Sequence, residues 1–406
     1  MTVAIESAGH AIIDDRLARR NALVLALAQA LAGGNSTVLV ATGGIVGAML
    51  APDKGLATVP ISVYVLGLWL GTLPMGALAR RFGRRNAFQV GTLFGILTGL
   101  ICYFAVVQGS FLLFNLGALA SGLYGSAHVA YRFAAADTAS EVFKPKAISW
   151  VLVGGVFSGV IGPQVVIATK DLWPPYLFAA TYLAQAGLAA VSAIVLMFVR
   201  IPTPATIAAA GQGRPLGEIA RQPRFLVAVA CGVASYAMMN MVMTSAPLAM
   251  VMCEHSVADA TLGIQWHVIG MYAPSFFTGA LIARFGVERI VGFGLFLIVT
   301  SAVVGLSGTT IWHFWIGLVL LGVGWNFGFV GATTMVTECH RPNERNKVQA
   351  FNDFLVFGSM AIGSFSSGKL LADYGWNAVN GVVIPIVVAA GALLAWNVFA
   401  KRRQWV

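Results

Sequence analysis

The chain has 406 residues, 58% of them hydrophobic and only 10% charged, with a mean hydropathy of +0.82. That composition excludes an ordinary soluble domain, whose surface would need far more charge. The net charge of +10 reads as a signal of membrane topology, which excludes a nucleic-acid partner.

The first twenty residues carry Asp14, Asp15, Arg16, Arg19 and Arg20 with no apolar core, so they read as a cytosolic tail and not as a cleavable signal. Twelve spans are then predicted, near 22–49, 59–79, 87–108, 111–133, 147–168, 176–199, 225–252, 260–283, 289–307, 311–333, 348–371 and 378–400. Most approach or exceed the roughly twenty residues that cross a hydrocarbon core of about 30 Å. The polar stretch "RIPTPATIAAAGQGRPLGEIARQP" divides them near the middle of the chain. The expected organisation is a cytosolic tail (1–20), a six-helix bundle (21–199), a cytosolic linker (200–224), a second six-helix bundle (225–400) and a tail (401–406). With both termini cytosolic, 22 of the 25 Lys and Arg residues fall on the cytosolic side, all but Lys54, Lys170 and Lys369. This is the bias expected of a multi-pass protein resting in the lipid bilayer.

Span 4 holds His128 and, towards its cytosolic end, Arg132, candidates for a proton or substrate gate. Span 5 contains "GGVFSGVIGP", which reads first as a surface for close helix packing. The four cysteines imply no disulfide: Cys102 and Cys231 fall inside spans, Cys339 is cytosolic, and only Cys253 lies near the outer surface. No nucleotide-binding loop or catalytic triad is visible, so neither an ATP-driven pump nor an enzyme is expected.

"GALARRFGRR" after span 2 and "GALIARFGVER" after span 8 form an internal repeat. Gly76 and Gly279, Phe82 and Phe285, and Gly83 and Gly286 are each 203 residues apart, half the chain. Two joined halves of this kind place a substrate site between them near the midplane. The repeat and the twelve-span layout resemble the major facilitator superfamily across essentially the whole chain. The resemblance implies an all-α membrane protein of two pseudo-symmetric six-helix bundles. The superfamily's loop motif is matched by Gly76, Leu78, Arg81, Gly83, Arg84 and Arg85, but Arg80 stands where the family has Asp. Asp353, near the start of span 11, is then a candidate to restore the cytosolic latch with Arg80 by charge exchange.

Residues 236–253, largely in span 7, read "YAMMNMVMTSAPLAMVMC", six of the chain's thirteen methionines within eighteen residues. Met239 and Met243 lie four apart on one helix face, as do His267 and Met271 in span 8. Antiparallel span directions put Met239 level with Met271, and Met243 level with His267. Thioethers and imidazole are soft, neutral ligands that suit Cu(I). The pattern "MNMVM" followed by "HVIGM" resembles the CcoA-type copper importers of the same superfamily.

That resemblance implies copper import across the bacterial inner membrane, feeding assembly of a cbb-type cytochrome oxidase. Copper would be the transported substrate and there would be no bound cofactor. The expected ligands are Met239, Met243, His267 and Met271, with Cys231 and Cys253 as a relay and Met75 and Met360 as further donors. The expected partners are the copper ion and a cytosolic copper chaperone, and the expected state is a monomer. Gating is assigned to Arg80, Arg81, Arg84, Asp353, His128 and Arg132. Two rivals stand beside import: a proton-coupled exporter of small organic molecules, and a copper sensor or assembly partner that carries no flux.

Overall fold

Inside a bilayer a backbone amide finds no water, so the apolar runs fold as helices that satisfy their own hydrogen bonds. A computed structural model describes residues 15–140, 143–201, 213–341 and 344–403 of the chain. Of the expected tails and linker, 1–14, 202–212 and 404–406 lie outside the described residues.

The first half comprises α1 (Arg16–Leu50), α2 (Val59–Phe82), α3 (Arg84–Gln108), α4 (Phe111–His128), the one-and-a-half-turn α5 (Tyr131–Ala136), α6 (Lys144–Thr169) and α7 (Ala179–Leu196). After a short α8 (Leu216–Ala220) come α9 (Pro223–Met252), α10 (Val257–Tyr272), α11 (Ser275–Phe285), α12 (Val287–Ser307), α13 (Ile311–Thr337) and α14 (Arg345–Arg403). Among the described residues nine helices are each long and apolar enough to cross a membrane, and α10 with α11, bent by 42°, forms a tenth leg. The 59-residue α14 breaks at Gly375 (φ 76°) and so supplies two legs. The 18-residue α4 completes twelve.

The repeat is written in the backbone. Gly83 (φ 83°, ψ 158°) separates α2 from α3, and Gly286 (φ 87°, ψ 148°) separates α11 from α12. A side chain would be strained in that left-handed region, which explains the glycine at each site. The arginine two residues earlier lies over the next phenylalanine in both halves: Arg81 over Phe82 and Arg284 over Phe285, each 5.2 Å from the ring centroid. This places the predicted gating residue Arg81.

Buried amides tie the first half together. Asn35 donates to the Gln185 carbonyl at 2.8 Å, and Gln185 donates back to that of Asn35 at 2.9 Å, clasping α1 to α7. The glycines of "GGVFSGVIGP" are packing positions on both sides of α6. Gly154 and Gly162 press against α1 at Ala26 and Gly34, while Gly155 and Gly159 press against Tyr272 and Val268 of α10 in the other half.

Ion pairs gather at the end of the molecule that carries both described chain ends. Arg84 pairs with Asp137, Arg224 with Glu288 and Glu338 (both 2.7 Å), and Arg214 with Glu344 (2.8 Å). Buried Glu344 accepts from the Arg214 backbone and guanidinium and from the Arg341 amide. The Arg214 hydrogen bonds, seconded by the Arg341 amide, hold its carboxyl well below the usual carboxylate range.

Candidate functional site

Contacts between the halves gather in the middle of the bundle and towards the end remote from the chain termini. Ser62 of α2 donates to Ser364 of α14 at 2.8 Å, and Gln164 of α6 donates to Gln265 of α10 at 2.9 Å. Gly155 has no room for a side chain because Tyr272 lies against it; an added Cβ would sit 2.8 Å from the ring. Nearer the chain-terminal end, the Trp69 and Phe354 rings meet across the halves at 5.3 Å.

Where this seam passes the centre, the two halves present different chemistry. In the second half Tyr236 of α9 meets three rings nearly edge-on. Trp325 and Phe329 of α13 lie at 5.2 and 4.8 Å, and Phe357 of α14 at 5.9 Å. Trp325 and Phe329 stack on each other at 5.4 Å and 15°. Edge-to-face arrangements of this kind are the favoured geometry of aromatic quadrupoles. Tyr64 of the first half packs against the same core of the second half as Tyr236, Tyr272 and Phe329 do.

The first half answers with polar groups. His128 of α4 contacts Gln29 Nε2 through Nδ1 at 3.4 Å and the Ser36 hydroxyl through Nε2 at 3.5 Å. Tyr64 of the same half packs its ring against the core of the second half. His128 therefore belongs to the central polar group, with Tyr124 and Tyr131 edge-on beside it at 6.3 Å.

The remaining predicted gating residues sort differently. Arg84 is taken by Asp137 of its own half. The side chain of Arg80 lies outside the described residues. The Arg132 guanidinium lies 4.8 Å over the Phe133 ring with its Nε buried and without a hydrogen-bond partner, and Asp353 accepts from its neighbour Asn352 at 3.2 Å.

The four expected copper ligands are all buried in the second half: Met239 and Met243 on α9, His267 and Met271 on α10. The imidazole of His267 is engaged by a third helix. Its Nδ1 donates to the Leu318 carbonyl of α13 at 2.8 Å, where Gly322 lets the two helices close upon each other. The Met271 carbonyl accepts from Asn326 of α13 at 2.6 Å. Cys231 points its thiol at the Ala390 carbonyl at 3.8 Å, Cys253 is half-buried where α9 ends, and both are free thiols. Met75 is buried on α2, and Met360 is buried on α14, its carbonyl facing Asn240 at 3.4 Å. Among the described residues no three His, Cys, Asp or Glu side chains gather as a metal site.

The residues that sequence reasoning missed are the aromatic four, with Tyr64, Tyr272, Gln29 and Ser36. One signal was present: Tyr236 begins the methionine patch, and Trp325 and Phe329 are spaced i, i+4 in "GWNFGF".

The sequence profile of the Major Facilitator Superfamily matches residues 25–266 and again 229–404. The chain is 50% identical over 378 residues to the riboflavin transporter RfnT of Brucella anthropi, covering 92% of this chain and 94% of that one. It is 26% identical to the uncharacterized MFS-type transporter YddS of Bacillus subtilis, over 92% of this chain and 90% of that one. Among solved structures, the nucleoside transporter NupG superposes with a TM-score of 0.68 at 13% identity. That match covers 93% of this chain and 99% of NupG and speaks to the fold.

These findings overturn copper. A relative half identical along nearly its whole length transports riboflavin, an organic molecule. The expectations of copper import, of copper as substrate and partner, and of a metal-binding transporter supplying an oxidase are corrected accordingly. The correction favours the rival reading of small-organic-molecule transport, without its export direction. Matched by the family profile in both halves and joined to a relative at 50% identity, the chain belongs to the Major Facilitator Superfamily.

Proposed function

We propose that this protein is a secondary transporter that carries riboflavin across the bacterial inner membrane by alternating access between its halves. The observation that carries the reading is the 50% identity to a riboflavin transporter over 92% of the chain. The central chemistry supports it. Riboflavin is a broad, neutral, planar heteroaromatic ring bearing a polyhydroxylated chain. Tyr236, Trp325, Phe329 and Phe357 offer aromatic surface to the ring, and Gln29, Ser36 and His128 offer polar groups to the chain.

Orientation follows from charge. The Lys- and Arg-rich end that carries both termini faces the cytosol. The seam of Ser62 with Ser364 and Gln164 with Gln265 then lies on the outer side of the centre, so the arrangement described is held together outside. Alternating access would require those bonds to part.

The test is growth. A bacterium unable to make riboflavin and lacking its own flavin transporter, given this chain, should grow on micromolar external riboflavin. Growth no better than with an empty vector contradicts the reading, provided the chain is shown to reach the membrane.

A further inference from the structure

Trp325 is 7% exposed, and its indole Nε1–H has no hydrogen-bond partner. A buried donor without an acceptor is costly, and natural structures keep few of them. The indole also stands in the aromatic group of the second half, edge to Tyr236 and stacked on Phe329. Across the seam, the contacts of His128 to Gln29 and Ser36, at 3.4 and 3.5 Å, are at the long limit for hydrogen bonds. Groups held this loosely can exchange one another for a hydroxyl-bearing ligand at small cost.

Resting on the transport reading above, we propose that the two halves divide the flavin between them. The Trp325 Nε1–H donates to a carbonyl oxygen of the isoalloxazine ring, which lies against Tyr236 and Phe357. Gln29, Ser36 and His128 receive the ribityl hydroxyls. The orphaned donor supplies what a carbonyl oxygen needs, and the rings around it exclude the water that would compete. The assignment makes the second half the reader of the ring and the first half the reader of the chain. A ligand that keeps the ring and loses the chain should therefore depend on only one half.

Lumichrome is such a ligand, since it keeps a tricyclic ring with both carbonyls and has no ribityl chain. Binding of tritiated riboflavin to the full purified protein in lipid nanodiscs, and its displacement by lumichrome, separates the two roles. Trp325→Phe keeps an aromatic face and removes the N–H. It should weaken riboflavin and lumichrome alike, each by about tenfold. Gln29→Ala should weaken riboflavin by several-fold and leave lumichrome unchanged.

Trp325→Phe with both affinities unchanged overturns the ring subsite. Gln29→Ala weakening both ligands equally overturns the division. If Trp325→Phe loses its thermal transition, Tyr236→Leu replaces it. It removes the ring that three others meet and should weaken both ligands by roughly tenfold or more, and unchanged binding of both overturns the ring subsite. Wild-type protein that binds no riboflavin overturns the transport reading itself. Wild-type binding with an unaffected Trp325→Phe overturns only the inference drawn from it.

Discussion

The two halves share a frame and differ in the middle. Their frames match in detail: a left-handed glycine at 83 and 286, and an arginine laid over the following phenylalanine at the same 5.2 Å. Their centres do not match. The first half gathers Gln29, Ser36 and His128, with Tyr64 packed against the core of the second half, and the second gathers Tyr236, Trp325, Phe329 and Phe357. Repetition preserves what both halves do alike, which is to turn tightly at one end of the bundle. Chemistry that recognises an asymmetric solute is free to diverge. The solute named by the 50% identical relative has one aromatic and one hydroxylated part.

Breaking the aromatic side should have the largest effect. Tyr236→Leu removes the ring that three others meet, and riboflavin exchange by reconstituted protein should fall by roughly tenfold or more, as at other aromatic hot spots. Breaking the polar side should cost less. Ser36→Ala removes the hydroxyl that contacts His128 Nε2 and should raise the KM for riboflavin by about threefold to tenfold, read from initial rates.

The shared frame can be tested by treating both halves alike. Gly83→Ala and Gly286→Ala each force a side chain into a left-handed backbone. Each should destabilise by roughly 1 kcal/mol, seen as similar drops in the thermal midpoint. A large drop in one and none in the other would break the symmetry.

A fourth expectation concerns pH. The carboxyl of Glu344 is held below its usual range by Arg214. A depressed carboxylate contributes stability above its unfolded pKa and loses it only as pH falls through the folded one. Glu344→Gln should therefore lower the thermal midpoint by a similar few degrees at every pH between about 5 and 8, and the difference should shrink only in stronger acid.

The smallest effect belongs to the methionine patch. Met239→Leu conserves volume in a buried position and should leave riboflavin exchange within about twofold. Cellular copper should be unchanged.

The last expectation marks where the sequence could be read and where it could not. Apolar runs, the arginine and lysine bias and a 203-residue repeat are one-dimensional signals, and the twelve legs and two halves follow from them. The proposed site is assembled from α1, α2, α4, α9, α13 and α14, so its parts are far apart in the chain. An aromatic residue inside an apolar run looks the same whether it faces lipid or substrate. Trp266 and Trp312, for instance, are well exposed on the bundle surface, whereas Trp325 is buried. The methionine ladder rests on depth alone. Spacing of i, i+4 and antiparallel direction fix the level of a side chain but not which neighbouring helix it addresses. His267 turns its Nδ1 to Leu318 on α13, a contact between residues 51 apart that no local pattern announces.

Counterflow tests the central claim most directly. The purified chain is reconstituted into liposomes loaded with excess unlabelled riboflavin, and tritiated riboflavin is added outside at trace concentration. Transient accumulation of label above the level in protein-free liposomes is expected, abolished by excess external riboflavin and indifferent to added copper. A protein that accumulates no label while Gly83→Ala shows it to be folded, by a measurable shift in its thermal transition, would contradict riboflavin transport.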